Sequence, residues 1–284
     1  MRIIWTRRLS QLFFFLLFIW FCLVSTVGKN FWQIRGWPVN QFLYLDPLAA
    51  VGIALTSHVL LKGFLWAVAV VILTILLGRF FCGWICPFGS LHHFTGFAAH
   101  KNDSVPDKLR LNKYRRAQSV KYYILFLFII MAAVPAASGL QTGLLDPVCF
   151  MARSVNLLIL PVADRIPSVT SVVPRYYDGA FLILAVFALF VSLNIWIPRF
   201  YCRFVCPLGA FFGIINRWSL WRIGRKDETC TSCGLCERHC EGGCEPASKV
   251  RISECVLCMN CVDECVHGAV SWRAEKSASG EVTG

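Results

Sequence analysis

Two runs of cysteine near the C-terminal end of the chain have the spacing of ligands to an inorganic cluster. Cys230, Cys233, Cys236 and Cys240 follow an x2, x2, x3 pattern, and Cys255, Cys258, Cys261 and Cys265 repeat it. Two-residue steps wrap backbone N–H groups around a small cubane and let three sulfurs converge. In the two-cluster arrangement each run gives its fourth thiolate to the other cluster. The pattern therefore predicts one [4Fe–4S] cluster on Cys230, Cys233, Cys236 and Cys265, and a second on Cys255, Cys258, Cys261 and Cys240. Zinc knuckles use paired two-residue steps, not triple runs. Two features depart from the ordinary pattern. The proline that usually follows the fourth cysteine is replaced by Glu241 and Val266, and an extra thiol, Cys244, stands four residues beyond Cys240. Cys244 is either an alternative to Cys240 as fourth ligand or a spare thiol.

A second kind of cysteine motif occurs twice. Arg79-Phe-Phe-Cys-Gly-Trp-Ile-Cys-Pro-Phe-Gly89 recurs as Arg199-Phe-Tyr-Cys-Arg-Phe-Val-Cys-Pro-Leu-Gly209, with six of eleven positions identical. Cys82 and Cys86, four apart, share one helical face, and Pro87 discourages that helix from continuing. Cys202, Cys206 and Pro207 repeat the geometry. Two readings stay open. The four thiols converge on a third Fe–S cluster or a metal ion, or each pair is a reduced, structural or redox-active thiol pair. His92 and His93, just after the first motif, are candidates for bonding a quinone oxygen or releasing a proton, and His58 is another. A surface or interfacial histidine is the plainer reading of each. Cys22 and Cys149 have no partner at ligand spacing and read as packed thiols.

The elements that must hold these residues are apolar. Of 284 residues 57% are hydrophobic, the mean hydropathy is +0.60, and 23 Phe and 10 Trp make the surplus bulky and aromatic, as in lipid-facing helices with interfacial belts. Uncharged runs over Leu9–Val27, Gly63–Gly78, Tyr122–Leu140 and Gly179–Pro198 predict four membrane spans, the second starting nearer Val59 with Lys62 snorkelling. The first run is longer than a signal-peptide core and lacks a clean cleavage site. The N-terminus, the stretch 79–121 and everything from Arg199 onward hold 22 of the 28 Lys and Arg, which places both termini in the cytoplasm. The basic stretch 112–121 reads as a solvated, headgroup-facing segment. Asp46-Pro47 and Asp146-Pro147 are helix starts, with a capping carboxylate and proline at the first turn.

Together these features predict a mainly α membrane protein of four transmembrane helices, arranged as two parallel two-helix repeats, plus a small α+β two-[4Fe–4S] ferredoxin-like domain. The expected boundaries are residues 1–110 and 111–222 for the repeats, 223–274 for the cluster domain and 275–284 for a disordered tail. No P-loop, dinucleotide fingerprint or c-type haem motif occurs. The formal charge of +12 follows the membrane flanks and gives no reason to expect nucleic acid. Ionisable residues are nearly absent from the spans, which disfavours a transporter.

Apolar spans, two Cys-x3-Cys-Pro motifs and a tail with two cluster runs resemble the NapH family of ferredoxin-type membrane proteins. The membrane part is also similar to that of NosR-type proteins, and the likeness runs from Leu9 to about Trp272. The resemblance implies a multi-pass protein of the bacterial cytoplasmic membrane that exchanges electrons with the quinone/quinol pool. Its implied partners are other redox subunits of ferredoxin-like or cytochrome c type. Two other roles stand beside this one: a metal-handling assembly or regulatory protein that uses the Cys-x3-Cys-Pro thiols, and a non-catalytic Fe–S anchor of a larger redox complex. One difficulty accompanies the favoured role. The tail clusters lie on the cytoplasmic side, and no haem-ligating histidine pair in the spans carries electrons onward.

Overall fold

A computed structural model describes residues 3–27, 41–58, 62–134, 144–163, 179–248 and 250–274. In chain order its helices are α1 (Ile3–Val27), α2 (Gln41–Tyr44), α3 (Pro47–Ser57), α4 (Leu65–Leu77), α5 (Phe80–Trp84), α6 (Pro87–Ala99), α7 (Val105–Asn112), α8 (Val120–Ala133), α9 (Pro147–Ala163), α10 (Ala180–Ser192), α11 (Phe200–Phe204), α12 (Pro207–Asn216) and α13 (Asn260–Glu264). Strands β1 (Arg222–Arg225) and β2 (Val270–Arg273) pair antiparallel, with Arg222 opposite Arg273 and Arg225 opposite Val270. This ribbon closes the cysteine-rich tail at both ends. The expected tail at 275–284 lies outside the described residues.

Among the described residues, two stretches are long and apolar enough to cross a membrane: Ile3–Leu23, and Val105–Ala133, which joins α7 to α8. The first and third expected spans overlap these, and residues 135–140 of the third lie outside the described residues. The second and fourth expected spans form shorter apolar helices, Leu65–Leu77 and Ala180–Ile195. Their C-terminal ends are set by backbone turns. Gly78 takes φ +88° and Arg199 takes φ +53°, so the chain breaks direction just before each Cys-x3-Cys-Pro motif. Large apolar side chains face outward along these helices. Phe181 is 86% exposed and Leu65 72%, a display that only an apolar surrounding makes favourable.

The core is aromatic. Tyr201 sits at its centre, edge-on to Phe88 and Phe190 and stacked with Phe150 and His92. Its hydroxyl donates to the Leu145 carbonyl. Helix α1 packs on α9, α6 and α5, and α12 packs on α8 and α4. The Asp-Pro starts behave alike in the two halves. Asp46 Oδ1 accepts from the Leu48 and Ala49 amides at 2.9 and 3.2 Å, and Asp146 Oδ2 from those of Val148 and Cys149 at 3.1 Å each. Both carboxyls are buried and close enough to interact, and burial together with the Asp146 charge raises the Asp46 pKa.

Candidate functional site

The tail cysteines gather around two cavities. Cys230, Cys233, Cys236 and Cys265 line one, and Cys240, Cys244, Cys255, Cys258 and Cys261 line the other. These are the two ligand sets expected from the spacing, with Cys244 inside the second. The Cys244 amide donates to Cys240 Sγ at 3.1 Å, so the extra residue also acts through its backbone. Loop backbones curl to make this possible: Ser232, Leu257 and Met259 all take positive φ. Among the described residues, no three Cys, His, Asp or Glu side chains close to the spacing that holds a single metal ion. A ring of thiols around a cavity suits a polynuclear Fe–S group, for which cysteine thiolates are the ordinary donors. The first set is the outer one. Cys233 is exposed, and hydrogen bonds from the Leu235 amide and the Thr231 side chain lower its pKa.

The second set is pressed against the helical part. Helix α5 lies on the backbone between Cys255 and Cys258: Trp84 Nε1 donates to the Leu257 carbonyl at 3.0 Å, and Phe80 and Trp84 join the tail's apolar core. From α12, Asn216 Nδ2 donates to the Ile252 carbonyl at 2.6 Å.

Glu241 explains the missing proline. It follows Cys240 directly, is buried, and lies 2.8 Å from Arg7 Nη2, 2.9 Å from His93 Nδ1 and 2.6 Å from Arg199 Nε. Asn260 Nδ2 adds a donor at 3.0 Å. Burial pushes the Glu241 carboxyl up, but Arg199, Arg7 and His93 overcome that and hold it well below the ordinary range. The position that ordinarily carries proline thus anchors the tail to α1, α6 and the second motif. A second anchor runs through Glu254, which pairs with Lys121 and accepts from Tyr122 at 3.1 Å. Lys121 and Gln118 are fully buried, which corrects the expectation that 112–121 is simply solvated. Neither glutamate stands out by sequence spacing; only the tertiary contacts reveal them.

His92 and His93 are likewise buried, not interfacial. Both line a cavity of about 330 Å³ at the junction, with Trp5, Phe97, Arg8 and Glu241 among the other walls. Asn194 Oδ1 accepts from the Phe200 amide, so its Nδ2 faces His92 Nδ1, 2.6 Å away. His92 then carries its proton on Nε2, a buried atom with no partner among the described residues. Burial, opposed by the Asn194 bond, lowers the His92 pKa to about 4. Burial also lowers that of His93, against the pull of Glu241. His58 caps the far end of α3 and is not among the cavity-lining residues.

The two Cys-x3-Cys-Pro motifs fold alike. Cys86 and Cys206 are the N-caps of α6 and α12, and their Sγ atoms accept from the Gly89 and Gly209 amides at 3.4 and 3.1 Å. Cys82 accepts from Arg79 Nε at 3.3 Å. All four thiols lie within electrostatic reach of one another. Among the described residues no two cysteines are joined by a disulfide.

A family model described as "4Fe-4S binding domain" matches residues 59–106 and 177–226, one match on each Cys-x3-Cys-Pro motif. The chain is 29% identical to the putative electron transport protein YccM of Escherichia coli over 87% of its own length and 65% of that protein. It is 26% identical to the ferredoxin-type protein NapH of Escherichia coli over 91% of itself and 85% of NapH. It is also 26% identical to the regulatory protein NosR of Stutzerimonas stutzeri, over 76% of itself but only 29% of that longer protein. No solved structure matches the chain.

Proposed function

The chain is a relative of the ferredoxin-type membrane proteins, and from that premise we propose that it carries electrons between the membrane quinol pool and a redox complex through [4Fe–4S] clusters held by its tail. The observation that carries this reading is the position of the 330 Å³ cavity. It shares Glu241 with the anchor of the second cysteine set and sets Trp5 and Phe97 beside convergent histidine and charged side chains, so that a small ring with polar oxygens finds both stacking surface and hydrogen-bond partners.

The ligand sets follow the cavities: Cys230, Cys233, Cys236 and Cys265 for one cluster, Cys255, Cys258, Cys261 and Cys240 for the other. The clusters supply one-electron steps. The protein's own residues hold and shield them and position the quinone. His92 Nε2–H is a donor for one quinone oxygen, and His93, backed by Glu241, receives a proton released from quinol. Trp5 and Phe97 hold the ring, while Arg8, 4.5 Å above the Phe97 ring, closes one wall. Four crossings with both termini in the cytoplasm, in two repeats of two helices, fit the charge distribution and the outward apolar side chains. Other redox subunits of ferredoxin-like or cytochrome c type are the expected partners, with the exposed Cys233 edge as the side they meet.

Iron and acid-labile sulfide analysis with EPR on detergent-purified protein tests the cluster assignment. Cys230→Ser and Cys258→Ser are each expected to remove one cluster signal, and a chain without iron or sulfide would sink the reading. For the quinone site, anaerobic addition of a short-chain menaquinol is expected to reduce the clusters. His92→Leu slows that reduction at least ~10-fold through loss of one positioned hydrogen bond. Equal rates for the variant would remove the quinone from this cavity.

A further inference from the structure

We propose that a cavity between the start of α8, the end of α12 and the tail binds the headgroup of an anionic phospholipid, with Arg217 and Arg251 on its phosphate and its acyl chains laid along α8. The site is independent of what the cysteines hold.

The cavity has a volume of about 450 Å³ and shares no lining residue with the one at His92 and His93. Three parts of the chain wall it: Tyr114, Ser119, Tyr123 and Phe126 from the entry and first turns of α8, Arg217 from the end of α12, and Arg251 from the tail. Helix α12 packs on α8, and Gly213 lets it come close. A Cβ at Gly213 would stand 2.9 Å from the Tyr122 hydroxyl and 2.8 Å from the Ser253 carbonyl oxygen, two groups that also line the cavity.

Charge selects an anion. The carboxylate in the lining, Glu254, is already spent: Lys121 pairs with Oε2, Gln118 donates to the same oxygen at 3.3 Å, and Tyr122 donates to Oε1 at 3.1 Å. Arg217 and Arg251 supply the remaining charge of the lining. Arg251 is held in place, with its guanidinium 3.9 Å from the Tyr114 ring centre and its Nε 2.9 Å from Glu245. A guanidinium fixed in this way loses little freedom on meeting a phosphate, whose oxygens its planar fork matches. Exposed Lys113, Arg115 and Arg116, on the segment leading into α8, extend the positive field toward an anionic surface.

An apolar row selects a lipid among anions. Tyr123, Phe126, Leu127 and Ile130 are all exposed and follow the i, i+3, i+4, i+7 spacing of one helical stripe. They lie on the stretch Val105–Ala133, which is long and apolar enough to cross a membrane. Tyr123 and Phe126 belong to both the cavity and the stripe, so the basic end and the apolar row are continuous. A molecule with a negative head and hydrocarbon chains uses both; a free phosphate or a soluble ester uses only the first. The site also adjoins the second cysteine set. The Arg251 amide donates to the Cys244 carbonyl at 2.9 Å, and Asn216, next to Arg217, donates to the Ile252 carbonyl at 2.6 Å. A bound headgroup therefore ties α12 to the tail segment that leads into Cys255.

The test titrates the full chain, delipidated in detergent, with phosphatidylglycerol or phosphatidylcholine and reads retention by native mass spectrometry. Phosphatidylglycerol is expected to bind at least ~10-fold more tightly, because phosphatidylcholine carries the same phosphate beside a cation that the arginines repel. Arg217→Gln is expected to weaken phosphatidylglycerol by about 10-fold, the worth of one charge-assisted contact. Ser119→Glu touches neither arginine. A carboxylate at the start of α8 suits the helix, so the fold is kept while the added charge in the cavity expels the lipid. Arg110→Gln, at an exposed arginine of α7 outside the cavity, is expected to change nothing. Equal retention of the two lipids, equal loss in Arg110→Gln and Arg217→Gln, or full retention in Ser119→Glu overturns the proposal. Displacement of the lipid by inorganic phosphate would make this a small-anion site and overturn it as well.

Discussion

Gly83 faces the backbone of Val256 so closely that a Cβ on it would stand 2.2 Å from the Val256 carbonyl oxygen. No side chain fits there without moving the tail off α5. Gly83→Ala is therefore expected to loosen the docked tail by about 1–3 kcal/mol, the ordinary cost of overpacking. Limited proteolysis of the junction checks it: the variant should release the tail faster than the unaltered chain. Gly96→Ala, where the nearest atom would stand 3.8 Å away, is the matched control.

Glu241→Ala leaves Arg7 and Arg199 buried without their shared carboxylate. Breaking one side of a buried pair typically costs 3–5 kcal/mol, so the melting temperature in detergent should fall by several degrees. Glu241→Gln keeps the shape and part of the hydrogen bonding and should fall between the two. Equal melting temperatures for all three proteins would remove Glu241 from its role as anchor.

Acid should weaken the junction before Glu241 titrates. His92 has a folded pKa of about 4, below its ordinary value of 6.5. A neutral buried histidine stabilises fully above the unfolded value, and that contribution is lost as pH falls from 6.5 toward 4. The full span corresponds to about 3 kcal/mol. Glu241, also depressed, begins to lose its contribution only below the ordinary glutamate range, at about pH 4.3. Melting curves recorded between about pH 7.5 and pH 5 should therefore slope downward, and His92→Gln should flatten that slope.

Asp46 and Asp146 each spend one oxygen on a helix cap, while Asp46 Oδ2 and Asp146 Oδ1 have no N–H or O–H donor among the described residues. Two facing carboxyls without donors keep one proton between them, because like charges this close do not both ionise. Asp146→Asn supplies a permanent donor and should be tolerated within about 1 kcal/mol. Asp146→Ala also loses the cap and should cost about 1–2 kcal/mol. Thermal unfolding followed by circular dichroism distinguishes them.

The cysteine runs made the grouping of the tail thiols legible, because their spacing alone separates the two sets that line the two cavities. The Asp-Pro and Cys-Pro helix starts were legible too, since capping is local. Helix lengths were less so: an uncharged run does not reveal that Gly78 and Arg199 turn the chain. The junction was hidden. Glu241, Glu254, Lys121 and His92 belong to distant parts of the sequence, and nothing short of their packing distinguishes a buried basic segment from a solvated one. The extra Cys244 and the lost proline were visible as departures, but their physical reason lies in what packs against them.

The two Cys-x3-Cys-Pro copies are not equivalent where it matters. Position 83 is glycine and admits the tail backbone, whereas its counterpart Arg203 reaches the Leu111 and Lys113 carbonyls. Joining both copies in one chain lets them diverge, so that one becomes the place where the tail lands and the other a brace. Symmetry is thereby exchanged for polarity: a fold that would look the same from either half acquires one side on which the tail docks.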